Sequence, residues 1–527
     1  MSGGKKRAGA ATTSSSDIGA LLDSRLTWVV AVIIAILFTV QLRHASLIHL
    51  NPDEALNYQL AHQTTLYKAY LASNTNAHPP LLVLLLHVLL KFGRAEWFLR
   101  LIPIAAYCGM IWFAWRWGSL ALNREAGFTL AMLLGFSPPI FNLATEIRHY
   151  LLVFCFALAA LYYFERAVEE LSSKWMAISA AMLALAILTD YSAVWFTAGF
   201  GVYTLLVVWR AGLPRKTQLA WVGSQAGAAL LYLFLYVTHI SKLRGAVISK
   251  EAREGWLSGM YCVQGCDAAS FLRAHTTGLF SYVFGSPWAG LIGAMLAMAG
   301  VGLLFKRYPK GRPLIAGSAA AFLSCMAAAA GGLYPYGGTR HSLPLFLWIA
   351  ACAAAVAGAA GKARLPLLLA GIAVIIPVWR LTALPEPQVL PVAEQRREFP
   401  VDAVRYLRRK VSPKGIVFTD LQSILLLLYY HSPELYADPA MAHFWDYNLD
   451  GLHVVMAPTW SLDPTPFVNE LKMLKQTYHL EKGAEVWVFD GGWGSPINRM
   501  LNVQYSGAVL PELAEFGDHF AVFRVPN

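Results

Sequence analysis

Leu26–Leu42 reads LTWVVAVIIAILFTVQL and is closed by Arg43. The run holds no charged residue and is about long enough to cross the hydrocarbon core of a bilayer. A cleaved signal peptide would have a shorter apolar core and a small-residue cleavage site, so the run reads as a retained anchor. Similar stretches recur at 101–118, 126–141, 150–164, 175–189, 192–209, 218–238, 286–305, 314–331, 342–360 and 365–381. The expectation is a polytopic α-helical membrane protein of about eleven spans. Composition agrees. The 527 residues are 57% hydrophobic and 14% charged, against roughly 45–50% and 25% in soluble domains, and mean hydropathy is +0.48. A disordered chain and a purely soluble enzyme are excluded.

Pro79–Leu90 is apolar but only 12 residues long, with His87 inside it. That length suits an interfacial or buried helix better than a span. Charge supports leaving it out. With the basic tail MSGGKKRAGAATTSSSD inside, the expected cytoplasmic connections carry Arg116/Arg124, Arg166/Lys174, Arg210/Arg215/Lys216, Lys306/Arg307/Lys310/Arg312 and Lys362/Arg364. The short connections on the other side hold only Arg148 and Arg340. This is the positive-inside pattern, and a span at 79–90 would invert it in every later loop. The expected location is the plasma or inner membrane, N-terminus cytoplasmic.

Three long segments then lie outside, at 43–100, 239–285 and 382–527. From Glu386 onward there are 12 Lys/Arg and 17 Asp/Glu, a net of −5, so the rest of the chain carries +16. The positive charge thus belongs to the apolar part and reports cytoplasmic loops rather than nucleic-acid binding. The expected organisation is a disordered tail (1–25), a transmembrane unit (26–384) and an extracytoplasmic α/β domain (385–527). A helix is expected over Val401–Lys410, with strands at Ile416–Thr419, Val486–Phe489 and Phe520–Val525. No fixed-period repeat and no inverted duplication of the transporter kind is present. Six cysteines are too few for a disulfide scaffold. Cys262 and Cys266 share an outside loop and could form a disulfide; the other four fall within spans.

The candidate chemistry sits in the outside loops. Leu50-Asn51-Pro52-Asp53-Glu54-Ala55 places two adjacent carboxylates just past a span. One reading is a general base at the membrane surface. The other is a helix start, with Asp53 as N-cap and Glu54 in the first turn. In Asn76-Ala77-His78-Pro79-Pro80-Leu81, His78 could touch a ligand or cap the following helix. Thr145-Glu146-Ile147-Arg148-His149-Tyr150 could anchor at the headgroups or floor a polar cavity. Thr189-Asp190-Tyr191 offers a lone acid that reads more readily as solvated or capping. In Tyr334-Pro335-Tyr336-Gly337-Gly338-Thr339-Arg340-His341, the Arg340 fork suits a phosphate or a lipid headgroup.

Taken in order, these landmarks resemble the GT-C superfamily of membrane glycosyltransferases, the group of protein O-mannosyltransferases and lipid A aminoarabinose transferases. Pro52-Asp53-Glu54-Ala55 is similar to that superfamily's first-loop acidic motif and His78-Pro79-Pro80-Leu81 to its helix along the membrane. Arg100-Leu101-Ile102-Pro103, Ser137-Pro138 with Glu146-Ile147-Arg148-His149-Tyr150, and Arg340-His341-Ser342-Leu343-Pro344 resemble later motifs. The resemblance runs from about Leu26 to Leu381. Two departures stand out. Gln-Glu-Ala-Arg of the family is Thr145-Glu146-Ile147-Arg148 here, and a family His-Tyr is Asp190-Tyr191.

The resemblance implies a polyprenyl-phosphate-sugar donor and an acceptor hydroxyl on a lipid, glycan or protein. It implies transfer with inversion, Asp53 as base and Arg340 as phosphate clamp. Glu54 and Glu146 are further catalytic candidates; His78, Arg148, His149, Tyr191 and His341 are candidate substrate contacts. Some members bind a divalent metal near the acidic motif, so a divalent cation is the one candidate cofactor. A lipid-linked-sugar transporter or flippase is the alternative. It is disfavoured because the charges gather at span ends on one face. A non-catalytic scaffold would leave the first-loop landmarks unexplained.

Overall fold

The computed structural model describes residues 25–243, 253–255, 257–263, 265–360, 394–435, 444–462, 464–480, 484–493, 496–504 and 512–525. The expected N-terminal tail, the span at 365–381 with Lys362/Arg364, and the boundary at 384/385 lie outside these residues.

Among the described residues, seven helices are long and apolar enough to cross a membrane. They are Leu26–Leu47, Glu96–Ala121, Tyr150–Glu169, Ala193–Ala211, Arg215–Ile240, Pro287–Arg307 and Gly311–Ala330. Each coincides with an expected span. Two further expected spans are the shorter apolar helices Ser173–Ile187 and Pro344–Ala360. The run at 126–141 is not one helix. It breaks into Arg124–Gly135 and Pro138–Leu143, because Pro138 lacks an N–H and forces Ser137 into an extended conformation. The count of eleven is therefore not met among the described residues.

The membrane helices pack through small residues, as expected where lipid removes the hydrophobic drive between helices. A Cβ on Gly118 would stand 2.7 Å from the Gly127 Cα, and one on Gly300 would strike the Cys352 carbonyl oxygen. Larger residues there would force these helices apart.

The Leu81–Leu89 helix has nine residues, about 14 Å at 1.5 Å per residue, and does not span. Leu82, Val83 and Leu86 are buried in a core that also holds Leu50, Ala55, Tyr58 and Leu60 of the first loop. That core continues into the C-terminal region through Leu421, Ile424, Leu425 and Leu428. The all-apolar face of the Leu421–His431 helix is therefore covered by the first-loop helix Pro52–Ala61. Polar bonds fasten the same contact. Leu50 N donates to the Tyr430 hydroxyl at 2.9 Å, and the Tyr58 and Tyr429 hydroxyls donate to the Pro433 and Arg94 carbonyls at 2.8 and 2.7 Å.

The C-terminal sheet contains β1 (Ile416–Thr419), β2 (Trp445–Leu449), β3 (Leu452–Met456), β4 (Val486–Gly491), β5 (Ala514–Phe516) and β6 (Phe520–Arg524), in the order β2-β3-β1-β4-β6-β5. β1 runs parallel to β3 and β4, and the other pairs are antiparallel. Side chains alternate between faces with the strand period of two. Val417, Val454, Trp487, Phe489 and Val522 face the core shared with the first loop. Ile416, Phe418, Val455, Val488 and Phe523 face a separate one. The expected helix is Glu398–Lys410, and the three expected strands are β1, β4 and β6. Cys262 and Cys266 form a disulfide, while Cys108, Cys155, Cys325 and Cys352 are free thiols.

Candidate active site

Asn51-Pro52-Asp53-Glu54 begins a helix for a local reason. The Asn51 side chain accepts from Glu54 N at 2.9 Å, and Glu54 Oε2 accepts from Asn51 N at 3.0 Å, a capping box with Pro52 in the first turn. The cap is Asn51, so the capping reading of Asp53 falls. The box also turns the two neighbouring acids apart.

Glu54 points inward. It is 1% exposed and takes Arg100 Nε on Oε1 at 2.9 Å and Nη2 on Oε2 at 2.7 Å. Arg100 gives its remaining protons to the carbonyls of Ala45 (3.0 Å), Ile48 (2.9 Å) and His49 (2.7 Å). All five guanidinium donors are thereby used, partly on carbonyls at the end of the Arg25–Leu47 helix, which that helix cannot satisfy itself. Glu54 Oε1 also accepts from Ile147 N at 2.9 Å, and Asn57 Nδ2 donates to the Ile147 carbonyl at 2.9 Å. Glu54, expected as a second catalytic carboxylate, is instead the pin that joins two span ends and the second loop. Its oxygens are fully engaged.

Asp53 points the other way and keeps 18% of its side chain exposed. Its Oδ2 lies 2.7 Å from Arg148 Nη1 and 3.4 Å from Arg340 Nη2. Arg340 Nη1 is 3.8 Å from Glu146 Oε2. Four residues from three separated segments thus meet, with Glu146, Arg148 and Arg340 all buried. Their burial excludes the snorkelling reading. Tyr150 supports both cations, with the Arg148 and Arg340 guanidinium carbons 5.8 and 5.9 Å from its ring centre. Arg340 itself sits on a short turn opened by Thr339, whose hydroxyl accepts from His341 N at 3.0 Å.

Beside this group lies a histidine cluster. The His78 ring stacks on His149 with centroids 3.6 Å apart, and His149 Nε2 is 2.6 Å from Asp190 Oδ2. His78 does not cap the following helix, whose N-cap is Pro80 without a side-chain bond. Burial pushes the His78 and His149 imidazoles below their ordinary range. Burial, with Arg340 next to it, brings His341 down to about 3. His341 meets the Tyr150 ring edge-on at 6.3 Å. The Tyr191 hydroxyl lies against His239 Nδ1.

A divalent cation beside the acidic motif is not what these residues fit. Oδ2 of Asp53 already lies against two guanidinium groups, which a cation would have to displace. The arrangement instead suits an anion. Two buried arginines whose charges face one partly exposed carboxylate can exchange that carboxylate for phosphate oxygens.

Sequence reasoning missed three contributors. Asp190 read as a solvated acid, yet it is buried against His149; an acid ending an apolar run and followed by tyrosine was the available signal. Arg100 and Tyr150 were noted only as parts of motifs. Arg100 meets Glu54 46 residues away and Tyr150 meets Arg340 from a separate loop, contacts that no local pattern encodes.

Among the described residues, long apolar helices carry one polar site built from the segments between them. Residues 77–240 match the family model described as dolichyl-phosphate-mannose-protein mannosyltransferase. Over nearly its whole length the chain shares the fold of ArnT from Cupriavidus metallidurans. The structure of that protein bound to undecaprenyl phosphate is 12% identical with a TM-score of 0.55, covering 95% of this chain and 98% of that one. Its apo structure is 12% identical with a TM-score of 0.51, covering 97% and 98%. No curated protein sequence matches the chain.

Proposed function

We propose that the chain transfers a sugar from a polyprenyl-phosphate-sugar donor to an acceptor hydroxyl at the outer face of the plasma or inner membrane. The observation that carries this reading is Asp53 held between Arg148 and Arg340. The isoprenoid tail would lie along the apolar helices, with the donor phosphate against the two arginines. ArnT, whose fold this chain shares, has been captured with undecaprenyl phosphate, which supports a donor of that chemistry. As the phosphate takes up the guanidinium groups, their hold on Asp53 weakens and its carboxylate is freed to act as base. The acceptor oxygen then attacks the anomeric carbon, Asp53 takes the hydroxyl proton, and the bond from that carbon to the phosphate oxygen breaks with its electrons leaving on phosphate. One displacement inverts the anomeric centre. Phosphate needs no added proton to leave, so one carboxylate suffices, unlike the pair that a glycosidase uses.

The transporter reading is less favoured, because Asp53, Glu146, Arg148, His149, Asp190 and Arg340 all lie between the long apolar helices and not along a path through them. The test is incubation of the purified chain with a panel of polyprenyl-phosphate sugars and lipid, glycan and peptide acceptors, read by mass spectrometry. A mass shift of one sugar on an acceptor is expected with at least one donor, and absent with Asp53→Asn. Movement of intact lipid-linked sugar across proteoliposomes without any transfer would overturn the proposal in favour of the transporter.

A further inference from the structure

Beside the arginine site, His78, His149 and Asp190 each turn one ligand-type atom toward a common point, all within 4.8 Å of one another. They come from three segments: the loop before the Leu81–Leu89 helix, the turn before the Tyr150–Glu169 helix, and the turn between Ser173–Ile187 and Ala193–Ala211. Asp190 is divided in function. Its Oδ1 accepts from Ser192 N at 2.6 Å, which fixes the carboxylate and leaves Oδ2 aimed at the rings. His149 Nε2 and Asp190 Oδ2 lie 2.6 Å apart as a buried pair, and among the described residues no other group bonds either atom. His149 is 1% exposed and Asp190 4%. Each of the two atoms thus has only the other as partner, and with a His78 ring nitrogen close by a cation between them would serve all three.

We propose that His78, His149 and Asp190 bind a divalent transition metal of the Zn²⁺ class. Two imidazoles and one carboxylate are a ligand set that Zn²⁺ takes, with a fourth position left open. Ligand atoms around a tetrahedral zinc lie about 3.3 Å apart, so the pair at 2.6 Å needs only a small separation to admit the ion. Ser192 N on Oδ1 supplies the kind of outer contact that orients a ligating carboxylate. Charge allows it as well. Asp53, Glu146 and Asp190 formally outnumber Arg148 and Arg340 by one, so a dication leaves a net of one positive charge beside the place proposed for the donor phosphate. The ion would supply a further positive centre for a phosphate oxygen.

The proposal stands apart from sugar transfer, because binding is measured without turnover. The full-length chain is purified, stripped with a mild chelator and titrated with ZnCl₂ against a chromophoric chelator, with metal content read by mass spectrometry. One equivalent is expected in the wild type, and a loss of affinity of tenfold or more in both His78→Gln and Asp190→Asn. His453→Gln removes a half-exposed histidine paired with Asp446 and should leave the stoichiometry unchanged. Thermal unfolding of the stripped proteins shows whether the variants are folded. X-ray absorption at the zinc edge of the wild type provides a readout independent of any variant, with two imidazoles expected in the first shell. No bound equivalent in the wild type, equal affinity in both ligand variants, or a first shell without imidazole would each overturn the site.

Discussion

Glu54 and Arg100 form a two-bond ion pair with 1% and 0% side-chain exposure, while Asp53, one residue earlier, keeps 18%. Adjacent helical residues point about 100° apart, so a single capping box sends one carboxylate into the protein and the other toward the arginines. The two acids of the motif therefore do different jobs, one structural and one at the site.

Glu54→Gln tests the structural half. It keeps the shape but leaves Arg100 charged and buried without a counter-ion, a change that costs about 3–5 kcal/mol when one partner of a buried pair is removed. The expected outcome is a clear drop in thermal midpoint and in yield of folded protein. An unchanged midpoint would mean that the carbonyls of Ala45, Ile48 and His49 hold Arg100 alone.

Arg340 tests the donor end. Arg340→Ala removes one of the two guanidinium groups near Asp53, and the loss of a hydrogen bond to a charged group costs about 1.5–3 kcal/mol. Roughly a 10- to 100-fold rise in donor KM is expected, with the folded yield little changed. Arg340→Lys should restore only part of it, since an ammonium offers no planar fork. Wild-type turnover of Arg340→Ala at low donor concentration would remove Arg340 from the donor site.

Much of this was legible because bilayer and strand geometry are periodic. The seven long helices, the non-spanning Leu81–Leu89 helix and strands β1, β4 and β6 follow from runs and alternation alone. The β2–β3 hairpin was equally readable and was overlooked. Asp450-Gly451 between the alternating run Trp445–Leu449 and the mostly apolar Leu452–Met456 is the Asp-Gly signal of a tight turn, and both residues adopt positive φ, 50° and 92°. The docking of Leu421–His431 onto the first loop was not readable. An apolar helix declares that it will be buried, not against what. The same limit hid Asp190, whose partners sit in two other loops.

The buried acids Asp420 and Asp490 at the ends of β1 and β4 give a pH prediction. Burial pushes both carboxyls up, and the charge of Asp420 pushes Asp490 further. A folded-state value raised above the unfolded one, about 4 for Asp, favours folding below that pH. The contribution is lost as pH rises toward the folded value. Asp490→Asn should flatten this part of the profile. The difference in thermal midpoint between variant and wild type should therefore favour the variant more at pH 8 than at pH 5. A difference that does not change with pH would contradict the assignment.

Orientation is tested by reporter fusions. One placed after Pro309, in the connection with Lys306, Arg307, Lys310 and Arg312, should report the cytoplasm. One placed after Asn527 should report the outside. The same side for both would overturn the proposed topology.

Asp53→Asn separates the base from the brace. Asn51 caps the helix, so the substitution touches no cap, and Asn fits the second position of a helix without strain. It removes the charge that faces Arg148 and Arg340, which frees both groups for phosphate. Donor binding should therefore be kept or strengthened, whereas transfer should fall by about 10²–10⁴-fold, the usual contribution of a general base. The split between the two readouts is the point. Loss of donor binding together with transfer would mean that Asp53 serves to position the arginines. Transfer above about a tenth of wild type would leave Glu146, 3.8 Å from Arg340, as the carboxylate to test next.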